Sequence, residues 1–584
     1  MNQPLDSTNF HLLLLEHART RPDAVAVADG AREITYAEFL ADIDKVTRRL
    51  NTYGLVPGSR AGLFFTTSYL HWLAAIAMWR LGVISASVQN IGDSGLLQLL
   101  NAKVVVTDHM GVKAEGGRLI TMNGDWLDAG ANVFPAVDEH SFDASQPVHI
   151  LLSSGTTGTP KKILFSNATI GARIKCTIAD YGIGPKVRFM SVVGPDTAGG
   201  FLYPVVVWAA GGAVAFYSSQ VPFDQLIVLT KANMLFMSPV QAANLVDKLP
   251  TNFQHPSLTL MVAGGRMPQI VAERAKQRLA SAIWVVYGST EAGTVSLTFE
   301  PDYASPEMVG PLVSTADVQI IDSAGNVVAP DVVGEVRMRG ICCVTSYLDD
   351  SAVSDMFFKD GWFHPGDLGR LSETGTLSIV GRVDDIMNLG GVKVAPGLIE
   401  DALSSCPGVK DLAAFSVPDR HGTETLWVAV TASKDFVQEQ LVERFRERFP
   451  DRRPPDLALL DEIPRNAMAK VQRNVLRDAV RKRLDTDGVA TSATHWLGKV
   501  PTITFGARSV SEGAALTGNQ EKKMQTVKIN DKEYDFDALS EEVKSHVKSL
   551  QYVDAELQRL NMQRAALQTA RATYAKAIGD AMGG

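Results

Sequence analysis

From about residue 10 to about residue 380, short apolar runs alternate with longer segments of helical spacing, the pattern of an α/β protein with largely parallel sheets. Arg60–Phe65, Lys103–Thr107, Leu258–Val262 and Ile283–Val286 read as strands, and Tyr69–Leu81 and Gln269–Leu279 as helices. The longest apolar run, Phe201–Tyr217, is short for a bilayer span and is interrupted by Pro204 and Gly211-Gly212. It predicts a buried helix turning into a buried strand, with no membrane crossing. Near Gly310 the texture changes to alternating β segments, with an Asp-Ser-Ala-Gly turn at 322–325 and an Asp-Gly turn at 360–361. A β-rich subdomain is expected there.

After Gly381–Asp385 the pattern restarts as a compact α+β unit that runs to about residue 495. Residues 498–523 are rich in Gly, Ser, Thr and Ala without periodicity and read as a linker. Met524–Phe536 then looks like a β-hairpin turning at Asn530-Asp531. A helical stretch follows, with Leu550, Val553, Leu557, Leu560, Leu567, Tyr574 and Ile578 on a seven-residue repeat that Arg564 and Arg571 interrupt. The expected organisation is an N-terminal domain over 1–381, a C-terminal domain over 382–495, a linker over 496–523 and a tail over 524–584. The fold class is α/β: a large multi-sheet domain with a β-rich subdomain, a small α+β domain and a helical or coiled-coil tail. The tail is assigned to self-association or protein docking.

The 584 residues are too many for one core, and 46% apolar with 21% charged is ordinary for a globular protein. A net charge of −8 gives no general reason to bind nucleic acid or an anionic membrane. Four cysteines without Cys-x-x-Cys spacing form no disulfide framework, and the N-terminus lacks the basic start and apolar core of a secretion signal. A cytoplasmic protein is expected.

The chemistry concentrates in a few segments. Ser153-Ser154-Gly155-Thr156-Thr157-Gly158 follows the buried-strand run His149–Leu152 and is closed by Lys161 and Lys162. Clustered hydroxyls, turn glycines and ammonium groups make a donor surface suited to polyphosphate oxygens, although the spacing is not that of the common P-loop. Ala263-Gly264-Gly265 ends a strand in small residues that would let a flat ring approach the backbone. Tyr287-Gly288-Ser-Thr290-Glu291 places an aromatic, a hydroxyl and a carboxylate just past a strand end, where open parallel sheets bind ligands. Tyr287 could stack on a base, and Glu291 could hold a magnesium ion. Asp367, in a turn, could accept two ribose hydroxyls, and Lys470 stands in a late loop. Taken singly, Tyr287 reads as a core aromatic, Asp367 as a turn-former and Lys470 as a solvated lysine; their order along the chain carries the argument.

That order resembles the adenylate-forming superfamily of acyl-CoA synthetases, peptide-synthetase adenylation domains and luciferases. The resemblance spans about residues 10 to 490 and includes Gly-Arg-x-Asp-Asp at 381–385. It implies that a small-molecule carboxylic acid attacks the α-phosphorus of ATP·Mg2+, giving an acyl adenylate, and that a thiol, that of coenzyme A (CoA) first, then takes the acyl group. By the resemblance Lys470 bridges the α-phosphate and the substrate carboxylate, Thr290 contacts that phosphate, and Asp367 and Arg382 hold the ribose. The small domain would turn about Asp384 and bring Gly390-Gly391 toward the site for the thiol step. The resemblance leaves open an acyl-AMP ligase that loads a carrier-protein thiol or an amine. A degenerate nucleotide-binding scaffold acting through its tail is a third reading. Four positions depart from the pattern: Lys162 replaces the usual glycine, Asn167 a histidine, Pro365 a threonine and Ala469 a glycine. In the acyl region Ala198, Gly199 and Gly200 are expected to leave space for a bulky or long group, and Asp196 is a minor candidate for a substrate ammonium.

Overall fold

The computed structural model describes residues 9–88, 94–109, 117–128, 143–153, 160–250, 253, 255, 257–301, 305, 307–389, 392–418, 423–465, 471–487, 495–498, 526–529 and 532–535. The chain divides into one unit over 1–508 and another over 509–584. In the first unit the expected α/β architecture is present. An eight-stranded sheet runs in the order Gly293–Phe299, Ala282–Ser289, Thr259–Ala263, Met234–Met237, Arg188–Ser191, Ala213–Ala215, Val25–Asp29, Arg32–Thr35. Its interior pairs are parallel and its two edge pairs antiparallel. A six-stranded sheet runs Arg118–Thr121, Val104–Thr107, Arg60–Phe64, Ile84–Ser87, Pro147–Ser153, Lys161–Ser166, parallel except for its last pair. Parallel strands require crossover connections, so residues distant in sequence collect at the same strand ends.

One apolar core contains residues of both sheets and of the helices Ser68–Arg80, Asn167–Tyr181 and Ala198–Ala209. Burial on both sides explains why Ser68–Arg80 has no polar stripe: Tyr69 through Trp79 are all buried. The run Phe201–Tyr217 does form a buried helix and then the buried strand Ala213–Ala215. No helix among the described residues is long and apolar enough to cross a membrane.

The β-rich subdomain is an antiparallel sheet whose main path runs Met308–Pro311, Thr376–Arg382, Asp367–Leu371, Gly334–Gly340, Trp362–Phe363, Phe358–Lys359. Its Asp360-Gly361 turn has φ of 52° and 77°, the left-handed pair that a two-residue hairpin turn needs. The small domain packs Pro396–Leu403 and Gln438–Arg448 on a sheet of Val409–Pro418, Glu424–Ala432, Asp456–Leu460 and His495–Gly498. In the second unit Thr526–Ile529 pairs antiparallel with Lys532–Asp535 across residues 530–531. The helical stretch expected beyond it lies outside the described residues.

The small residues of the acyl segment do not leave the space expected of them. A Cβ at Gly199 would meet the Phe236 ring at 2.1 Å, and one at Gly200 would meet the Gly194 carbonyl oxygen at 1.9 Å. These glycines admit a neighbouring ring and a tight turn. Thr197 closes that turn, its hydroxyl donating to Gly194 O and accepting from Gly200 N as the helix cap.

Two histidines sit inside this core. His149 is 0% and His71 4% exposed. His149 stacks on Phe201 at 3.8 Å and its Nδ1 lies 2.8 Å from Ser85 Oγ, while His71 Nε2 lies 3.0 Å from Ser87 Oγ. Burial, first of all, lowers their pKa values to about 3 and about 4. The unfolded chain takes up protons below the ordinary histidine value near 6.5 while the folded state refuses them, so stability is lost as pH falls from 6.5 toward 4. Between pH 6.5 and 5 the pair should cost about 3 kcal/mol. Urea unfolding at the two pH values measures this, and the loss should shrink in His149→Gln. A pH slope identical in wild type and variant would refute the assignment.

Candidate active site

The carboxyl ends of the strands Thr259–Ala263 and Ala282–Ser289 adjoin, with Ala263 opposite Val286, so Ala263-Gly264-Gly265 lies beside Tyr287. Gly264 has φ of 90°, which turns the chain away at once. Tyr287 reaches across to the β-rich sheet, where its hydroxyl donates to Asp367 Oδ2 at 2.6 Å. Asp367 stands in register opposite Arg382 on adjacent strands, and Arg382 donates to Asp367 Oδ1 and to Pro365 O, both at 2.9 Å. Burial and the Asp367 carboxylate push the Tyr287 hydroxyl well above its usual pKa, so it stays a donor. At Pro365 the contact with Arg382 is made by the backbone carbonyl, which any residue would supply.

Ser289 ends a strand, and Thr290 and Glu291 form the tight return to Gly293. A Cβ at Gly288 would lie 2.1 Å from Gly293 O, so the turn can close only around glycine. Glu291 is buried, and the Tyr347 hydroxyl donates to its Oε1 at 2.8 Å. Lys161 begins the strand opposite Ser153. Its ammonium lies 3.2 Å from the centre of the Phe357 ring and 5.1 Å from that of Tyr347. Burial lowers the pKa of Lys161, while Glu291, Asp384 and Asp350 act against that shift and Arg382 adds to it. Lys161, Glu291, Arg382 and Asp384 therefore share one electrostatic neighbourhood. Arg382 also acts on both Tyr287 and Tyr347, linking this group to the Asp367 group.

Ser154, Gly155, Thr156, Thr157, Gly158, Gly390, Gly391 and Lys470 lie outside the described residues. Asp384 sits exposed in the short turn Val383–Asp385, and its neighbour Asp385 accepts from Arg473 at 3.3 Å. Asp196 curls back over Gly194, its Oδ1 2.4 Å from where a Cβ at Gly194 would be.

Arg173 was not legible as a site residue. Its guanidinium is buried, lies 4.5 Å from the Phe165 ring centre, and donates to the carbonyls of Thr290 at 2.9 Å, Glu291 at 3.0 Å and Cys342 at 3.0 Å. It ties the Thr290–Glu291 turn to the segment leading to Tyr347. The available signal was a cation on the buried face of a helix, beside Ile170 and Ile174. Asn167, at the position of another departure, is buried, and its amide takes the Trp79 indole N–H at 2.7 Å and donates to Asp143 O at 2.8 Å.

With this geometry in hand, the comparisons with known proteins agree. Residues 14–348 match the family model described as AMP-binding enzyme, and residues 398–470 match the AMP-binding enzyme C-terminal domain. The 2-succinylbenzoate–CoA ligase of Bacillus licheniformis is 24% identical over 478 residues, covering 79% of this chain and 98% of that protein. The 4-chlorobenzoate–CoA ligase of an Arthrobacter species is 25% identical, covering 79% and 93%. Among solved structures, O-succinylbenzoate CoA synthetase of Bacillus subtilis in complex with AMP shares the fold with a TM-score of 0.71 at 21% identity, over 80% of this chain and 98% of that one. ATP-bound MatB of Rhodopseudomonas palustris gives 0.72 at 23% identity, over 82% and 100%.

Replacing Arg173 with Met strands three buried carbonyls that share one donor group, and should cost about 3 kcal/mol of stability. Denaturant unfolding reads this directly. Arg173→Lys should recover little of it, since one ammonium cannot span the two segments; unfolding midpoints equal to wild type would contradict the role.

Proposed function

Because the chain belongs to the AMP-binding enzyme family, we propose that it activates a small-molecule carboxylic acid with ATP and passes the acyl group to a thiol, that of CoA. The observation that carries this reading is the convergence of Tyr287, Asp367 and Arg382 with Lys161, Tyr347 and Glu291 at adjoining strand ends. Similarity to ligases whose names specify CoA as acceptor supports the choice of thiol.

The residues fit the ligands. An aspartate aimed by an arginine and a phenol suits a ribose diol, and Tyr287 beside Ala263-Gly264-Gly265 offers a flat slot for adenine. Lys161 presents a partly desolvated cation to phosphate oxygens where the loop 153–158 begins. Among the described residues only a phenol bonds the Glu291 carboxylate, and such a hard oxygen donor suits Mg2+. When bound, the ion would neutralise phosphate charge. Thr290, in the same turn, would contact the α-phosphate. In the first step a carboxylate oxygen of the acid bonds to the α-phosphorus and pyrophosphate leaves. In the second the thiol sulfur bonds to the acyl carbon, AMP leaves with the bonding pair, and the thiol proton passes to solvent. Lys470, on which the matched C-terminal-domain stretch ends, would serve the first step, with Asp384 as the pivot and Gly390-Gly391 serving the second. All four cysteines are unpaired thiols, in keeping with the cytoplasm.

ATP–pyrophosphate exchange across a panel of aliphatic, aromatic and amino acids, with and without CoA, tests the proposal. Exchange should appear with at least one acid and fall by about a thousandfold in Lys470→Ala. Asp367→Ala should raise KM for ATP more than it lowers kcat. Adenylation without thioester formation from free CoA would move the acceptor to a carrier thiol or an amine. No exchange with any acid would reject the ligase assignment.

A further inference from the structure

Immediately outside the site, three charged side chains meet. Arg60 donates to Asp349 Oδ2 at 2.6 Å and Oδ1 at 3.2 Å, a two-pronged contact, and Lys162 donates to Asp349 Oδ2 at 3.2 Å. The two cations are nearly buried, with side chains 18% and 12% exposed, and each also donates to a backbone carbonyl, of Leu100 and of Leu99 respectively. Together they hold the Asp349 pKa down at about 2, Arg60 more strongly. Asp349 is itself in the left-handed region, with φ of 56°. A side chain anchored from two directions can hold a residue in that conformation.

The anchored segment is the one that furnishes the site. Two residues before Asp349 is Tyr347, which holds Glu291; eight residues after it is Phe357, which faces the Lys161 ammonium. Between them Asp350 caps the helix Ser351–Phe357, its Oδ1 accepting from Val353 N at 3.0 Å. The Leu348 amide donates to Lys162 O at 2.8 Å, so Lys162 grips this segment with backbone and side chain together. Successive strand residues point to opposite faces. Lys161 thus faces the site while Lys162 faces the anchor.

We infer that Asp349, clamped by Arg60 and Lys162, is a positioning residue that fixes Tyr347 and Phe357 against Glu291 and Lys161 and so sets affinity for the magnesium–triphosphate group. The lysine that departs from the phosphate-loop pattern is part of that clamp. This inference rests on the ligase reading, and it concerns residues that touch neither ligand.

The test is calorimetric titration with the magnesium complex of a non-hydrolysable ATP analogue, with steady-state kinetics alongside. Asp349→Asn and Lys162→Met should each weaken binding roughly tenfold, as loss of groups orienting a metal ligand does. KM for ATP should rise in proportion, with kcat changed less than about twofold. Lys162→Arg should restore binding, and the double variant should bind no more weakly than either single one. In the ligand-free protein, amides of residues 347–357 should exchange faster in Asp349→Asn than in wild type. If Asp349→Asn does not fold, Lys162→Met carries the same comparison. Variants that bind like wild type, or losses that add in the double variant, would overturn the inference alone. A wild-type protein that binds no nucleotide would overturn the ligase reading and this inference with it.

Discussion

One carboxylate joins two sheets. Asp367 lies on the β-rich sheet, directly across a strand pair from Arg382, and receives the hydroxyl of Tyr287 from the end of the eight-stranded sheet. A buried carboxylate is costly unless its lone pairs are met, and these two donors meet one on each oxygen. The sheets therefore cannot shift past one another without uncovering that charge. The same contact helps dock the sheets, beside the bridge of Ser296 to Leu312 and the bond from Val313 N to Val295 O. Lys161 comes from the third, six-stranded sheet and meets Glu291 through the segment that carries Tyr347 and Phe357.

Around it, backbone groups are managed by long side chains reaching between distant segments. Arg173 satisfies carbonyls of the Thr290–Glu291 turn and of Cys342 at once. Tyr36 and Trp208 do the same in the core, Tyr36 donating to Trp208 O and Gly212 O, and Trp208 to Ala26 O. Buried turns need such donors because no ladder serves them. The small domain meets the large one differently. Arg266 bonds the Ile379 carbonyl of its own domain and reaches across to Asp401, while inside the small domain Arg473 joins Asp385, Glu400 and Ala414 O beside the turn that holds Asp384. Ionic contacts can be exchanged for water at small cost, whereas an apolar seam cannot.

Much of the architecture was written in local pattern. The strand and helix segments between Arg60 and Leu279 lie within a residue or two of their expected bounds, because elements buried on all sides show as continuous apolar runs with polar or turn residues at their ends. The family followed from five motifs in order. What misled was size taken for space. Ala198-Gly199-Gly200 looked like an open acyl pocket, yet Phe236, from a strand more than 30 residues on, fills the gap at Gly199. A glycine announces that something comes close, not what it is.

The chain's own order of residues thus determined fold class, the alternation of layers, and the family, because each depends on contacts within a few residues, on apolar runs or on motifs in order. Tertiary structure alone decided which distant side chains complete those motifs. Arg173 to Thr290 and Glu291, Tyr347 to Glu291, and Arg60 and Lys162 to Asp349 are all contacts across more than 50 residues. Hydrogen bonds and ion pairs act over about 3 Å, and only the packing of the sheets brings such partners within that reach.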